Sequence, residues 1–246
     1  TKPYLVPKRT KLNNNLPFPY GNNEPKDTVF ANVDYTKLNA AVGNAFDAKG
    51  DRNKRTRSLL VIYKDKIIAE KYDTGFTKES KILGWSMTKS ITSALFGILQ
   101  KQGKYDIYKP APITEWKNDE RKIITTNDLL HMNSGLEWTE QYDKISDATK
   151  MLFQAEDMAQ VQREKPAAFK PNAHWNYSSG TTNLLSGILR QQFKTHQDYL
   201  DFWYSALIDK IGMNSMLVET DMVGNYVGSS YGWATTRDWS KFGLLY

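Results

Sequence analysis

The chain has 246 residues, a net charge of +6 and no cysteine. Its length and 40% apolar content support one large domain or two interleaved ones, and 13% aromatic residues argue against disorder. Without cysteine, thiol catalysis, disulfides and cysteine-ligated zinc are excluded, and neither a metal nor a cofactor is expected. The basic residues are interspersed with acids. Their densest group, Asp51-Arg52-Asn53-Lys54-Arg55-Thr56-Arg57, reads as a solvated loop rather than a nucleic-acid face. No apolar run approaches a membrane span, the longest being Leu59-Leu60-Val61-Ile62-Tyr63, so no integral membrane segment is expected. The sequence starts at Thr1 with no initiator Met and no targeting signal, as expected of a processed or trimmed chain. Export to the periplasm and a cytoplasmic location both stay open.

Residues 1–27 hold five of the nine prolines and read as an extended arm lying over the body. Val33 to Phe46 has helical spacing. Ser58 to Tyr63 and Lys66 to Tyr72 are β-rich runs that Lys64-Asp65 joins into a hairpin, and such a pair needs further partners. From Met87 the apolar residues Met87, Ile91, Ala94, Leu95, Ile98 and Leu99 share one helix face, with Gly103 placed as a left-handed C-cap. Tyr105 to Asn118 is irregular, and Thr125 to Met132 reads as a short capped helix closed by Asn133-Ser134-Gly135. Asp147 to Arg163 is helical in pattern. Further helices are expected over Thr181 to Phe193 and Tyr199 to Ile211. A last one starts with Thr236 as its cap and still runs at Tyr246. Only two strands are credible, so further strands are expected beyond Tyr246.

The chemistry gathers at Gly84-Trp85-Ser86-Met87-Thr88-Lys89-Ser90. Ser86 falls at the mouth of the helix and Lys89 one turn later on the same side. A hydroxyl, an amine one turn away and a positive helix end describe an activated serine nucleophile. With 15 Ser and 25 Lys in the chain, such a pair is expected about 1.5 times by composition, and it occurs once. An N-capping serine beside a solvated lysine is therefore the competing reading.

Acyl transfer also needs a base and oxyanion donors. Of the three histidines, His196 reads as exposed in a polar turn and His131 as packed in the short helix. His174 precedes Trp175-Asn176-Tyr177-Ser178-Ser179-Gly180 and is kept as a pocket residue. Tyr177 taken alone is a buried tyrosine bonded to backbone. Beside Ser86 and Lys89, either the phenol or the lysine can serve as base, because a nearby ammonium favours phenolate and desolvation favours neutral lysine.

These segments resemble, in order, the serine β-lactamase and penicillin-binding superfamily, in the branch of class C β-lactamases, D-alanyl carboxypeptidases, esterases and 6-aminohexanoate-dimer hydrolases. Ser86-Met87-Thr88-Lys89 matches its Ser-x-x-Lys motif. Gln102-Gly103-Lys104-Tyr105-Asp106 resembles a Gly-Lys-Leu-Asp turn. Ile124 to Leu136 is similar to an Ile-Thr … His-x-Ser-Gly-Leu segment, and Tyr177-Ser178-Ser179 to the Tyr-x-Asn or Tyr-x-Ser motif. Ile211-Gly212-Met213 and Gly232 to Trp239 resemble two later segments. The third family motif, on a strand near the C-terminus, has no counterpart here.

The resemblance implies an α+β fold, an antiparallel sheet flanked by helices plus a mainly helical domain, with the C-terminal strands of the sheet absent from this chain. It divides the chain into the arm (1–27), sheet-domain parts (28–85 with about 205–246) and a helical domain (86–204). It implies acylation of Ser86, proton transfer by Lys89 and Tyr177, and Ser86 N–H as one oxyanion donor. Ser179 would bond substrate or Lys89, and Trp85, Trp175 and His174 would line the pocket. Ser179, where class C β-lactamases carry Asn, points to a small ester or a linear amide as substrate. The alternatives are a β-lactamase or D-alanyl-D-alanine carboxypeptidase, and a penicillin-binding sensor without turnover.

Overall fold

In the computed structural model the described residues are 5–12 and 15–246, so parts of the N-terminal arm (1–4 and 13–14) lie outside them. The backbone separates into two compact units. One holds the residues up to Lys8, Gly84–Leu207 and Val218–Gly232; the other holds Arg9–Leu83, Ile208–Leu217 and Trp233–Tyr246.

The second of these contains α1 (Tyr35–Asn44), whose N-cap Asp34 accepts a bond from Lys37 N. Strands β1 (Ser58–Tyr63) and β2 (Lys66–Tyr72) pair antiparallel. Lys64 and Asp65 form their turn with φ of 48° and 61°, the twist that a two-residue hairpin requires. No third strand joins this pair among the described residues. Helices pack on it instead: α1 on β2 and the last helix, α8 (Thr236–Gly243), on β1, leaving the strand residues partly buried.

More strands exist than the two expected. β3 (Lys81–Leu83), β4 (Leu217–Val218) and β5 (Gly232–Thr235) make a second sheet in the order β3-β5-β4, with Ile82 opposite Ala234. Segments of two to four residues are too short to show alternation, and their partners lie far away in sequence. The α8 cap also differs from expectation. It is Thr235, which accepts from Asp238 N at 3.3 Å, and the helix stops at Gly243 rather than running to Tyr246. In the same unit the arm is pinned at Arg9, whose guanidinium bonds Asp209 Oδ1 at 2.9 and 2.5 Å.

The other unit is mainly helical. A single 3-10 turn, Trp85–Met87, leads into α2 (Thr88–Lys101), which buries Thr88, Ile91, Thr92, Leu95, Phe96 and Leu99. Met87, expected on that face, is exposed because it lies in the turn before the helix. Gly103, at φ 66°, lets Lys104 N reach Leu99 O at 3.0 Å and closes the helix. Helix α3 (Thr126–Leu130) carries a complete capping box of Thr125 and Asp128.

The stretch expected to be helical over 147–163 is two helices, α4 (Asp147–Gln154) and α5 (Met158–Arg163). It breaks at Asp157, whose carboxylate caps α5. Helix α6 (Ser179–Arg190) starts two residues earlier than expected, on the cap Ser178. Helix α7 (His196–Trp203) starts three earlier, on Thr195.

His196 is therefore not an exposed turn residue. It is half-buried, stacks on Tyr199, and its Nε2 meets Gly224 O at 2.7 Å. His131 errs the other way: expected to be packed, it is exposed, with Nδ1 on Asn127 O.

Two buried clusters hold this unit. Trp138, Ala148, Met151, Leu152, Met158 and Val227 form one. Tyr199, Trp203, Tyr204 and Tyr226 form the other, with ring centroids 4.8 to 6.5 Å apart. Every residue from Ser179 to Ser186 is buried, so the first turns of α6 sit rigidly in the interior.

Candidate active site

All the side chains singled out from sequence fall in the helical unit. Ser86 is exposed in the 3-10 turn. That turn is held from beneath by two bonds to Gly232: Gly84 N donates to its carbonyl at 2.7 Å, and buried Thr88 Oγ1 accepts from its N–H at 3.1 Å. Trp85 sits at φ 45°, a left-handed conformation that costs a bulky residue energy and marks a locally strained turn.

Lys89 is the hub. Its Nζ lies 3.2 Å from Ser86 Oγ, 3.0 Å from Ser179 Oγ and 2.9 Å from the Ser229 carbonyl. The Tyr177 ring centroid is 4.9 Å away, so Lys89 stands over a π face worth about 0.5–2 kcal/mol to a cation.

The proton bookkeeping here is restrictive. Ser229 O can only accept, and Ser179 Oγ donates its own proton to Glu140 Oε1 at 2.5 Å, so it too accepts from Lys89. As an ammonium, Lys89 fills all three contacts with N–H groups. As an amine, it keeps N–H groups on Ser179 and Ser229 and turns its lone pair to Ser86 Oγ, the one partner that can donate. The Tyr177 hydroxyl makes no hydrogen bond among the described residues. Tyr177 meets Lys89 through its ring face.

Three groups at this site were not singled out from the sequence. Glu140 accepts four bonds: Ser179 N (2.8 Å) and Trp138 Nε1 (2.5 Å) on Oε2, Ser179 Oγ (2.5 Å) and Tyr142 OH (2.5 Å) on Oε1. The Tyr142 hydroxyl also lies 3.4 Å from Ser179 Oγ. Burial, and then the Glu140 carboxylate, push the Tyr142 phenol up to about 12, so it stays a donor at neutral pH. Ser229 contributes a main-chain carbonyl, which no side-chain pattern reveals. Its amide is fixed on Asn183 Oδ1 at 3.1 Å. The only hint of Glu140 and Tyr142 was their alternation with Trp138 just after Gly135-Leu136.

The loop that carries Tyr177 is held by the segment after α3. Asn176 N donates to Met132 O at 2.9 Å and its amide to Trp138 O at 3.0 Å. Gly135 is required there. At φ 81° a Cβ would stand 2.1 Å from Phe169 O, where residues 168 and 169 donate to the Gly135 carbonyl.

Of the expected pocket residues, Trp85 is 51% exposed and its ring meets Tyr231 edge-on at 6.2 Å. Trp175 is 63% exposed, with its ring 6.3 Å from Tyr177. His174 is exposed against Phe169, ring centroids 4.6 Å apart, and no described hydrogen bond joins it to Ser86 or Lys89. The described residues hold no cluster of metal-ligating side chains.

The family model described as Beta-lactamase matches residues 42–245. No curated protein matches the chain. Among solved structures, a protein described as a 6-aminohexanoate-dimer hydrolase from Bacillus anthracis superposes with a TM-score of 0.70 at 20% identity, covering 85% of this chain and 56% of that one. One described as a beta-lactamase from Bacteroides dorei DSM 17855 gives 0.67 at 16% identity, covering 86% and 62%. FmtA from Staphylococcus aureus gives 0.64 at 16%, covering 90% and 69%. At such identities the likeness is one of fold: mixed helices and small antiparallel sheets in a β-lactamase-like arrangement. The chain spans 56% and 62% of the length of the first two.

Proposed function

Because this chain belongs to the beta-lactamase family, we propose that it is a serine hydrolase working through an acyl-enzyme on Ser86. The observation that carries this reading is the set of three partners around Lys89 Nζ, of which only Ser86 can give up a proton. Lys89 takes the Ser86 proton as Oγ attacks the acyl carbonyl, then returns it to the leaving alcohol or amine. The Ser86 N–H, in the turn that leads into the 14-residue α2, receives the developing negative charge near the positive end of that helix. Tyr177 lends its ring face to the lysine and supports the same proton transfer.

The substrate we propose is a small ester or linear amide, in keeping with Ser179 as the last residue of the Tyr-x-Ser motif. Trp85, next to the serine in sequence, and Trp175, whose ring lies 6.3 Å from that of Tyr177, are exposed and offer apolar surface. A β-lactam or a D-alanyl-D-alanine peptide uses the same nucleophile and is the second reading, favoured by the fold shared with the B. dorei protein.

The test is incubation with a fluorophosphonate, followed by intact mass and peptide mapping. One adduct on Ser86, lost in Ser86→Ala, is expected. No adduct, or one that persists in Ser86→Ala, overturns the nucleophile. Turnover of p-nitrophenyl esters, linear amides and a chromogenic cephalosporin then ranks the substrates.

A further inference from the structure

The Glu140 carboxylate sits in the site with both oxygens saturated by donors, two on each. No Lys, Arg or His among the described residues pairs with it directly. Its single link to a cation runs through one hydroxyl: Glu140 Oε1 takes the Ser179 proton, and Ser179 Oγ offers its lone pair to Lys89 Nζ. Without Glu140 the Ser179 hydroxyl could rotate and donate toward Lys89, competing for the lone pair that has to face Ser86. With Glu140 in place, Ser179 has one orientation, and Lys89 keeps one free direction.

Resting on the Ser86–Lys89 reading above, we propose that Glu140 is a positioning residue for the reaction. Through Ser179 it aims the Lys89 amine at Ser86 and compensates the charge that Lys89 gains on taking the Ser86 proton. It touches neither substrate nor Ser86. The role parallels that of a carboxylate that orients a histidine base and stabilises its cation, here relayed by a hydroxyl. The arrangement also commits Ser179 to Lys89 rather than to substrate, since its proton is already given away.

Other groups that could set the charge of Lys89 are few. Tyr177 faces it through the ring, and Tyr142 reaches it only by way of Ser179 and Glu140. The segment supplying the Ser229 carbonyl brings Tyr231, which packs on Trp85 and is raised by burial and by Glu219.

The test measures the second-order rate of fluorophosphonate labelling of Ser86 against pH. In this reaction Ser86 Oγ bonds to phosphorus, fluoride leaves, and the Ser86 proton passes to Lys89. The proteins are the unmutated chain, Glu140→Gln, Ser179→Ala and the double variant. Expected are labelling about 100-fold slower in Glu140→Gln, the range of a misdirected general base, and an acid limb moved to lower pH. That sign follows because removing the negative charge removes what favoured the protonated base. The double variant should be no slower than the worse single one, since both cut the same link.

Wild-type labelling and an unmoved acid limb in Glu140→Gln overturn the proposal. So do multiplying rate losses in the double variant. If Glu140→Gln does not fold, Ser179→Ala decides: it leaves the carboxylate in place and cuts the relay, and an unchanged rate there overturns the proposal. Absence of a Ser86 adduct on the unmutated chain overturns the serine-hydrolase reading itself and this proposal with it. An adduct there with no effect of Glu140 overturns the proposal alone.

Discussion

Gly180 is the second residue of α6, and its missing side chain is what lets Trp138 and Gln162 close over the helix start. A Cβ at that position would stand 2.5 and 2.7 Å from the Trp138 ring atoms Cζ3 and Cη2 and 2.5 Å from Gln162 Oε1. Ordinary contact begins near 3.4 Å, so in Gly180→Ala the ring and the amide must each yield by roughly 1 Å. Neither has room: Trp138 is 6% exposed within a packed cluster and Gln162 is fully buried. Overpacking of this kind costs about 1–3 kcal/mol, and alanine returns at most about 1 kcal/mol of helix propensity.

If the indole swings away, its bond to the Glu140 carboxylate goes as well, a further loss of about 1.5–3 kcal/mol for a bond to a charged group. The expected net cost is therefore roughly 2–5 kcal/mol. For a chain of this size that corresponds to a Tm lower by roughly 5–15 °C. The assay is thermal unfolding followed by tryptophan near-UV circular dichroism, with Ser86 labelling measured at 20 °C below the transition. Labelling should slow along with stability, because Trp138 orients Glu140. A Gly180→Ala protein as stable as the unmutated chain would refute the packing argument outright.

Two other substitutions test the supports of the two units. Thr88→Val keeps the shape of a fully buried side chain but leaves the Gly232 amide without its acceptor. A loss of about 1–3 kcal/mol is expected, read as a lower midpoint in urea with an unchanged slope. In the sheet-bearing unit, Arg237 bonds Glu70 through Nε at 2.9 Å and through a terminal nitrogen at 2.8 Å. Burial raises the Glu70 carboxyl, but the Arg237 and Tyr72 hydrogen bonds outweigh it and hold the group below its ordinary value. A depressed carboxyl contributes stability that is present above its unfolded value, near 4.5, and is lost as pH falls through the folded one. Arg237→Met should therefore be clearly less stable than the unmutated protein at pH 7. The gap should narrow steadily below about pH 4.5 in urea titrations. A gap independent of pH would show that the pair contributes through packing alone.

The division between what sequence and tertiary structure decide is visible residue by residue. The periodicity from Ile91 to Leu99, the stop at Gly103 and the hairpin at Lys64-Asp65 are local physics, and each was legible because its cause lies within a few residues. The family, too, could be read from short motifs in order, since backbone turns such as the one at Gly135 demand particular residues.

Strands β3 and β5 were not legible, because their pairing joins Lys81–Leu83 to residues 150 to 154 positions later and neither is long enough to alternate. The exact starts of α6, α7 and α8 moved by one to three residues because Ser178, Thr195 and Thr235 won the capping contest against nearby candidates. At the site, sequence alone supplied Ser86, Lys89, Tyr177 and Ser179 as chemistry-bearing residues. Only the fold decided that Ser179, expected to bond substrate or Lys89, bonds Lys89, turned the ring of Tyr177 rather than its hydroxyl toward the lysine, and added Glu140, Tyr142 and the Ser229 carbonyl. The physical reason is that residue type fixes what a group can donate or accept. Which group receives the bond is decided by backbone segments that meet only after the chain has packed.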